Sequence, residues 1–131
     1  MLTLRKETDY ALQLLKLLSL HTEKYVSLKQ ASVVSGISFL FLQKIARKLR
    51  QAKLIEAEQG VSGGYKLIVS PKKISLRKIV EIMEGSCGLL SCQCSSKTIC
   101  ANEKKCTVMK KFKKINTEVV KIFDKMKLSD L

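Results

Sequence analysis

The amino-acid sequence predicts an α+β fold, mostly helical: a winged helix-turn-helix with a two-stranded β wing, followed by a long C-terminal dimerisation helix. Three observations carry that prediction. Two capped helical stretches separated by a glycine lie between Ser27 and Arg50. Two short alternating runs flank the glycine-rich turn Gly60-Val-Ser-Gly-Gly64. A heptad of apolar residues extends from Val108 to Met126.

The first helix is expected from about Thr8 to Leu20, where Tyr10, Ala11, Leu14, Leu15, Leu17 and Leu18 recur at helical spacing and form a broad apolar face. Ser27-Leu-Lys-Gln30 reads as a capping box, in which the serine accepts from an early backbone N–H and Gln30 reaches back. The helix it opens stops near Ser35-Gly36, where glycine permits a left-handed backbone. Ser38 caps the next helix, whose apolar stripe is Phe41, Leu42, Ile45, Ala46 and Leu49. Leu54 to Glu58 and Tyr65 to Val69 then read as the two strands of a hairpin, with Ile55 and Ala57 alternating with polar residues on the first. A hairpin directly after a helix-turn-helix is a wing. Ser70-Pro71 breaks the chain, and Ser75 caps a short helix with Ile79, Ile82 and Met83 on one face, ended by Gly85. Residues 86–106 show no periodicity. In the last helix Val108, Phe112, Ile115, Val119, Ile122 and Met126 alternate spacings of four and three, a seam long enough to pack against a second copy. The expected organisation is a DNA-binding domain over 1–85, a cysteine loop over 86–106, and a dimerisation helix with a short tail over 107–131.

Composition narrows the partners. The chain has 131 residues, 46% of them hydrophobic, so it is expected to be ordered. It shows neither an apolar run of membrane-spanning length nor an N-terminal signal core, so a cytoplasmic protein without a membrane partner is expected. Net charge is +14, which favours a polyanion, double-stranded DNA first. Between Glu23 and Glu56 there is no acidic residue, yet seven lysines and arginines lie there, among them Lys44, Arg47 and Lys48. In a winged helix-turn-helix the second helix enters the major groove. The residues placed to touch DNA are Ser38, Phe39, Gln43, Lys44, Arg47 and Lys48 on that helix, with Ser62, Gly63 and Lys66 on the wing. Lysine and arginine suit phosphates and guanine edges, and Gln43 suits an adenine edge. No catalytic nucleophile–base pair is visible, since the single histidine, His21, has no evident partner in sequence; an enzyme is not expected.

All five cysteines fall between Cys87 and Cys106. Clustering of this kind cannot staple distant elements and points to metal or redox chemistry. Cys94, Cys100 and Cys106 are separated by five residues twice, with neither a Cys-x-x-Cys pair nor a nearby histidine. Thiolates are soft ligands, suited to iron–sulphur clusters, zinc or Cu(I). From spacing alone, a cluster, zinc and thiols used for disulfide sensing all remain open.

Taken together these motifs resemble the IscR, NsrR and RirA family of bacterial iron–sulphur regulators. The resemblance rests on Thr8-Asp-Tyr-Ala-Leu12, Ile37-Ser38, Phe41-Leu-Gln-Lys-Ile45, Lys48-Leu-Arg50, Leu54-Ile55, Gly60-Val-Ser-Gly-Gly-Tyr65, Ile74-Ser-Leu76, Met83-Glu-Gly85 and the three spaced cysteines. It implies a homodimeric transcriptional regulator, expected to act as a repressor. Its operator affinity would follow an iron–sulphur cluster on Cys94, Cys100 and Cys106 that senses nitric oxide, redox state or iron supply. Met109 stands where members with a 2Fe–2S cluster can carry histidine, and Gln59 where the family often has arginine. The resemblance therefore implies a 4Fe–4S cluster with Asp9 of the partner subunit as fourth ligand; Cys92 is the alternative ligand and 2Fe–2S the alternative cluster. The rival functions are a cluster-free regulator answering to a small effector or partner protein, and a cluster-carrying protein that does not bind DNA.

Overall fold

A computed structural model describes residues 3–90 and 102–131 of the chain. Its described helices are α1 (Lys6–Leu20), α2 (Leu28–Ser35), α3 (Phe39–Gln51), α4 (Leu76–Glu84) and α5 (Thr107–Lys125). Strands β1 (Ile55–Glu58) and β2 (Gly64–Leu67) form one antiparallel hairpin between α3 and α4. The α+β winged architecture expected from the sequence is the one observed.

Helix α1 is the centre of the core. Its buried face, Ala11, Leu14, Leu15 and Leu18, joins Leu42, Ile45, Ala46 and Leu49 of α3 and Ile79 and Met83 of α4 in one apolar cluster. The helix starts two residues earlier than its apolar period indicates. Arg5 is the reason: its backbone N–H and its Nε donate to Glu84 at 2.9 and 2.6 Å, and Nη2 donates to the Met83 carbonyl at 2.8 Å. The buried Thr8 hydroxyl also donates to Glu84. The first turn of α1 is thereby tied to the end of α4 by a long-range ion pair that no local pattern reveals.

The capping expectations are met in atomic detail. Ser27 Oγ accepts from Gln30 N–H at 3.1 Å while Gln30 Oε1 accepts from Ser27 N–H at 3.3 Å, and α2 ends at Gly36 with φ +71°. Ser38 and Ser75 accept from Phe41 N–H and Lys78 N–H. Two parts of the apolar stripes behave differently. Phe41 is half exposed and meets the edge of Tyr10, 6.0 Å between ring centroids. Ala57 is exposed, because after the buried Ile55 strand β1 lifts away from the core into the wing.

In the wing, Ile55 pairs with Leu67 and Glu58 with Gly64. The base of β2 is anchored by a two-way backbone bridge between Tyr65 and Val26, at 2.8 and 2.9 Å. Close approach explains two of the glycines. A Cβ on Gly63 would lie 2.2 Å from the Glu58 carbonyl oxygen, and one on Gly64, at φ +149°, 2.4 Å from that of Val26.

Helix α5 packs on α4 but buries none of its residues fully. After it the chain returns to the core. Leu76 N–H donates to Met126 O, Leu128 N–H donates to Ile74 O, and the side chain of Leu128 is completely buried. The C-terminal tail thus contributes a core residue to the winged-helix unit.

Candidate nucleic-acid interface and cysteine site

Helix α3 separates its two faces cleanly. Leu42, Ile45, Ala46 and Leu49 point into the core, while Leu40, Gln43, Lys44, Arg47 and Arg50 are exposed. Of the residues expected to touch DNA, Ser38, Phe39, Gln43, Lys44 and Arg47 lie exposed along the N-terminal two-thirds of this helix, and Lys48 is half-buried at its edge. Ser38 is also occupied structurally, its oxygen accepting the Phe41 N–H at 3.3 Å. On the wing, Ser62 is exposed and Gly63 is held by the close backbone approach described above. Lys66 is half-buried, its Nζ 5.7 Å from the centre of the Tyr25 ring, a cation–π distance. Tyr25 in turn donates its hydroxyl to Glu56 at 2.9 Å, and that bond raises its pKa.

The basic stretch lacks acids in sequence but not in space. Glu7, from α1, receives Lys44 Nζ at 2.6 Å and Lys48 Nζ at 3.1 Å on its two carboxylate oxygens. Hydrogen bonds from Lys44 and then Lys48 hold this carboxyl at a pKa of about 2, below its ordinary 4.5. A depressed carboxylate stabilises the fold above its ordinary pKa, and that contribution is lost as pH falls through the folded value. The interaction is therefore whole above pH 4.5 and fades between there and about pH 2. At neutral pH, Glu7→Gln is expected to lower the melting temperature by no more than about 5 °C, as suits a partly exposed pair. The gap between the two proteins should close as melts are repeated down to pH 2; a gap independent of pH would show that the ion pair contributes nothing to stability.

The cysteine site is described in part. Cys92, Cys94 and Cys100, three of the expected or alternative ligands, lie outside the described residues. Among the described residues no group of three or more His, Cys, Asp or Glu is assembled to hold a metal ion. Cys106 occupies the N-cap of α5, where its half-buried sulphur accepts the Met109 N–H at 3.3 Å. Cys87 lies beside the end of α4, with Sγ 3.8 Å from the Arg77 carbonyl; burial pushes its thiol pKa up. Asp9 is exposed on α1 and accepts from Gln13 Nε2 at 3.2 Å. Within this one chain the structure does not bring Asp9 to Cys106. Leu89 N–H donates to Asn116 Oδ1 at 2.9 Å, so the start of the cysteine segment is pinned to α5 as well as to α4.

The seam of α5 divides. Val119 is half-buried and lines, with Phe123, a groove shared with Val80 and Leu89. Val108, Ile115 and Ile122 face away, 57, 51 and 56% exposed, with Phe112 and Met126 also exposed. Among the described residues no helix is long and apolar enough to cross a membrane.

Comparison with known proteins bears on this arrangement. A family model named Rrf2, described as "Iron-dependent Transcriptional regulator", matches residues 4–131. The aau3 protein of Rhizobium meliloti is 33% identical over 68% of this chain, a match spanning 58% of its own length. The HTH-type transcriptional regulator IscR of Aliivibrio salmonicida is 25% identical over 93% of this chain and 72% of its own. Among solved structures, that of CymR, the global cysteine regulator of B. subtilis, superposes with a TM-score of 0.79 at 23% identity, covering 99% of this chain and 95% of that one. T. potens IscR superposes with a TM-score of 0.74 at 26% identity, covering 98% and 85%. An exposed cationic helix ahead of a glycine-tipped hairpin, on a fold shared with these regulators and under a family match across nearly the whole sequence, leads to one conclusion: the chain belongs to the Rrf2 family of DNA-binding transcriptional regulators.

Proposed function

We propose that this regulator is a homodimeric repressor whose hold on its operator is set by an iron–sulphur cluster carried on Cys94, Cys100 and Cys106. The observation that carries the reading is the place of Cys106. One of the three spaced thiols is the N-cap of α5, the helix that presents the exposed apolar seam. A change at the cysteine loop therefore acts on the first turn of that helix. Through the packing of α5 on α4, and of Glu84 on Arg5 and Thr8, it reaches the helix that underlies α3. The donor set fits such a group, since clustered thiolates are soft ligands that iron–sulphur clusters use. The cluster, when bound, supplies redox-sensitive and nitric-oxide-sensitive iron. Asp9 of the partner subunit is the proposed fourth ligand to a 4Fe–4S form, with Cys92 the substitute; its exposed carboxylate leaves it free to meet a second copy.

Around that site the chain's own residues divide the work. Lys44, Arg47 and Lys48 attract phosphate, Gln43 reads a base edge, and Ser62, Gly63 and Lys66 bring the wing to the backbone. The α5 seam holds two reading heads about one helical turn, ~34–36 Å, apart. A second reading is a cluster-free regulator answering to an effector or a partner protein; CymR, whose fold this chain shares, is described as a global cysteine regulator.

The test is anaerobic purification with iron and sulphide assays, followed by DNA binding across a salt series before and after cluster removal. The expected result is stoichiometric iron and sulphide and an operator affinity that changes with the cluster. Arg47→Ala should flatten the log–log salt slope by ~0.9 on every sequence, and Lys48→Ala, whose charge is already shared with Glu7, by less. A metal-free chain with the same operator affinity establishes the second reading, and equal affinity for operator and random DNA removes sequence-specific regulation.

A further inference from the structure

The outward side of α3 carries apolar side chains that its charge does not explain, and Leu40 is the most exposed of them, ahead of Phe41, which meets Tyr10, and Phe39. Leu40 lies in the first turn of the helix and is 75% exposed. One turn further along the same face come Gln43 and Lys44, and beyond them Arg47, all exposed. The face presented by this helix is therefore cationic and polar except at its leading end. The helix has no need of Leu40 for its own packing, since Leu42, Ile45, Ala46 and Leu49 supply the core contact. Nor is the residue a cap, because Ser38 fills that position.

We infer that Leu40 reads thymine, by apolar contact with the C5-methyl groups of one or two thymines in each operator half-site. The inference rests on the assignment of α3 as the helix that enters the major groove. In that geometry the N-terminal residues of the recognition helix meet the base edges. The major groove offers a single apolar feature, the thymine methyl, alongside its donors and acceptors. A leucine offers no hydrogen bond, so it discriminates among bases only through that methyl. Gln43, one turn on, then reads a neighbouring base by hydrogen bonding, and Lys44 and Arg47 provide attraction without needing sequence.

The experiment isolates the methyl group chemically. Wild-type protein first selects its preferred duplex from a random-sequence library. Each thymine of the selected site is then replaced singly by deoxyuridine, which lacks only the methyl, and affinities are measured for wild type and Leu40→Ala. For wild type, one or two positions per half-site should lose about fourfold in affinity on replacement, the equivalent of ~0.8 kcal/mol for one buried methyl-sized group. Leu40→Ala removes the contact from both half-sites, so it should bind the thymine site at least ~16-fold weaker, the fourfold loss taken once in each, and show no difference between thymine and uracil at those positions. The variant exchanges an exposed side chain for a strong helix former, and its unchanged circular dichroism serves as the control. A selective wild type indifferent to uracil everywhere, or a Leu40→Ala protein that keeps the full thymine preference, overturns the assignment of Leu40 and leaves the DNA-binding reading standing. A wild type that enriches no sequence overturns both.

Discussion

The wild type is expected to sediment as a dimer, and a chain carrying Ile115→Asp together with Ile122→Asp as a monomer. Both residues project from the side of α5 turned away from α4, and both are more than half exposed in the single chain, 51 and 56%. Replacing them therefore leaves the fold of one subunit intact, and its circular dichroism and melting should change little. In a paired seam the same carboxylates become unpaired and buried. Burying an unpaired carboxylate costs several kcal/mol for each ion, and the dimer would hold four. The monomer should also lose the tight binding that depends on two half-sites and keep only weak, salt-sensitive attraction to DNA. An unchanged sedimentation coefficient would place the subunit interface on another face of the molecule.

Cys106→Ser should separate the capping role of that residue from its proposed role as a cluster ligand. As an N-cap, Cys106 accepts the Met109 N–H through sulphur at 3.3 Å. Serine is among the preferred N-cap residues and accepts the same bond through oxygen, so α5 should form at least as well. As a ligand, serine replaces a soft thiolate with a hard oxygen, which suits iron–sulphur chemistry poorly. Loss of a mere supporting contact typically costs 10–100-fold in metal affinity, so loss of the ligand itself should lower bound iron and sulphide by more than about 10-fold. The expected outcome is a folded protein without a chromophore after anaerobic reconstitution. Full iron and sulphide in Cys106→Ser would remove this residue from the ligand set. Loss of helix content, measured in the metal-free protein, would show that sulphur at the cap was structural.

The local elements of this protein are legible in its sequence because their causes are local. Ser27 with Gln30, Ser38 and Ser75 announce helix starts through bonds that span three residues, and Gly36 and Gly85 end helices by accepting a left-handed backbone. The alternating runs on either side of Gly60–Gly64 carry their own register. The winged-helix architecture and the cationic outer face of α3 follow from these patterns, as does the length of α5.

What escaped a linear reading depends on residues far apart in the chain. Glu7 pairs with Lys44 and Lys48 across 37 and 41 positions and offsets one of their two charges, so a stretch that looks free of acid is not free of it in space. Arg5 and Thr8 meet Glu84, which moves the start of α1 ahead of its apolar period. Leu128, in a mostly polar tail, is buried because the bonds from Leu128 N–H to Ile74 O and from Leu76 N–H to Met126 O hold the tail against the core. The exposure of Leu40 likewise requires knowing which side of α3 the core occupies. Hydrophobic period and capping chemistry act within one or two turns, so sequence alone determined the elements. Ion pairs and burial act through space, so only the tertiary structure decided which charges remain available to a partner and which apolar side chains remain uncovered.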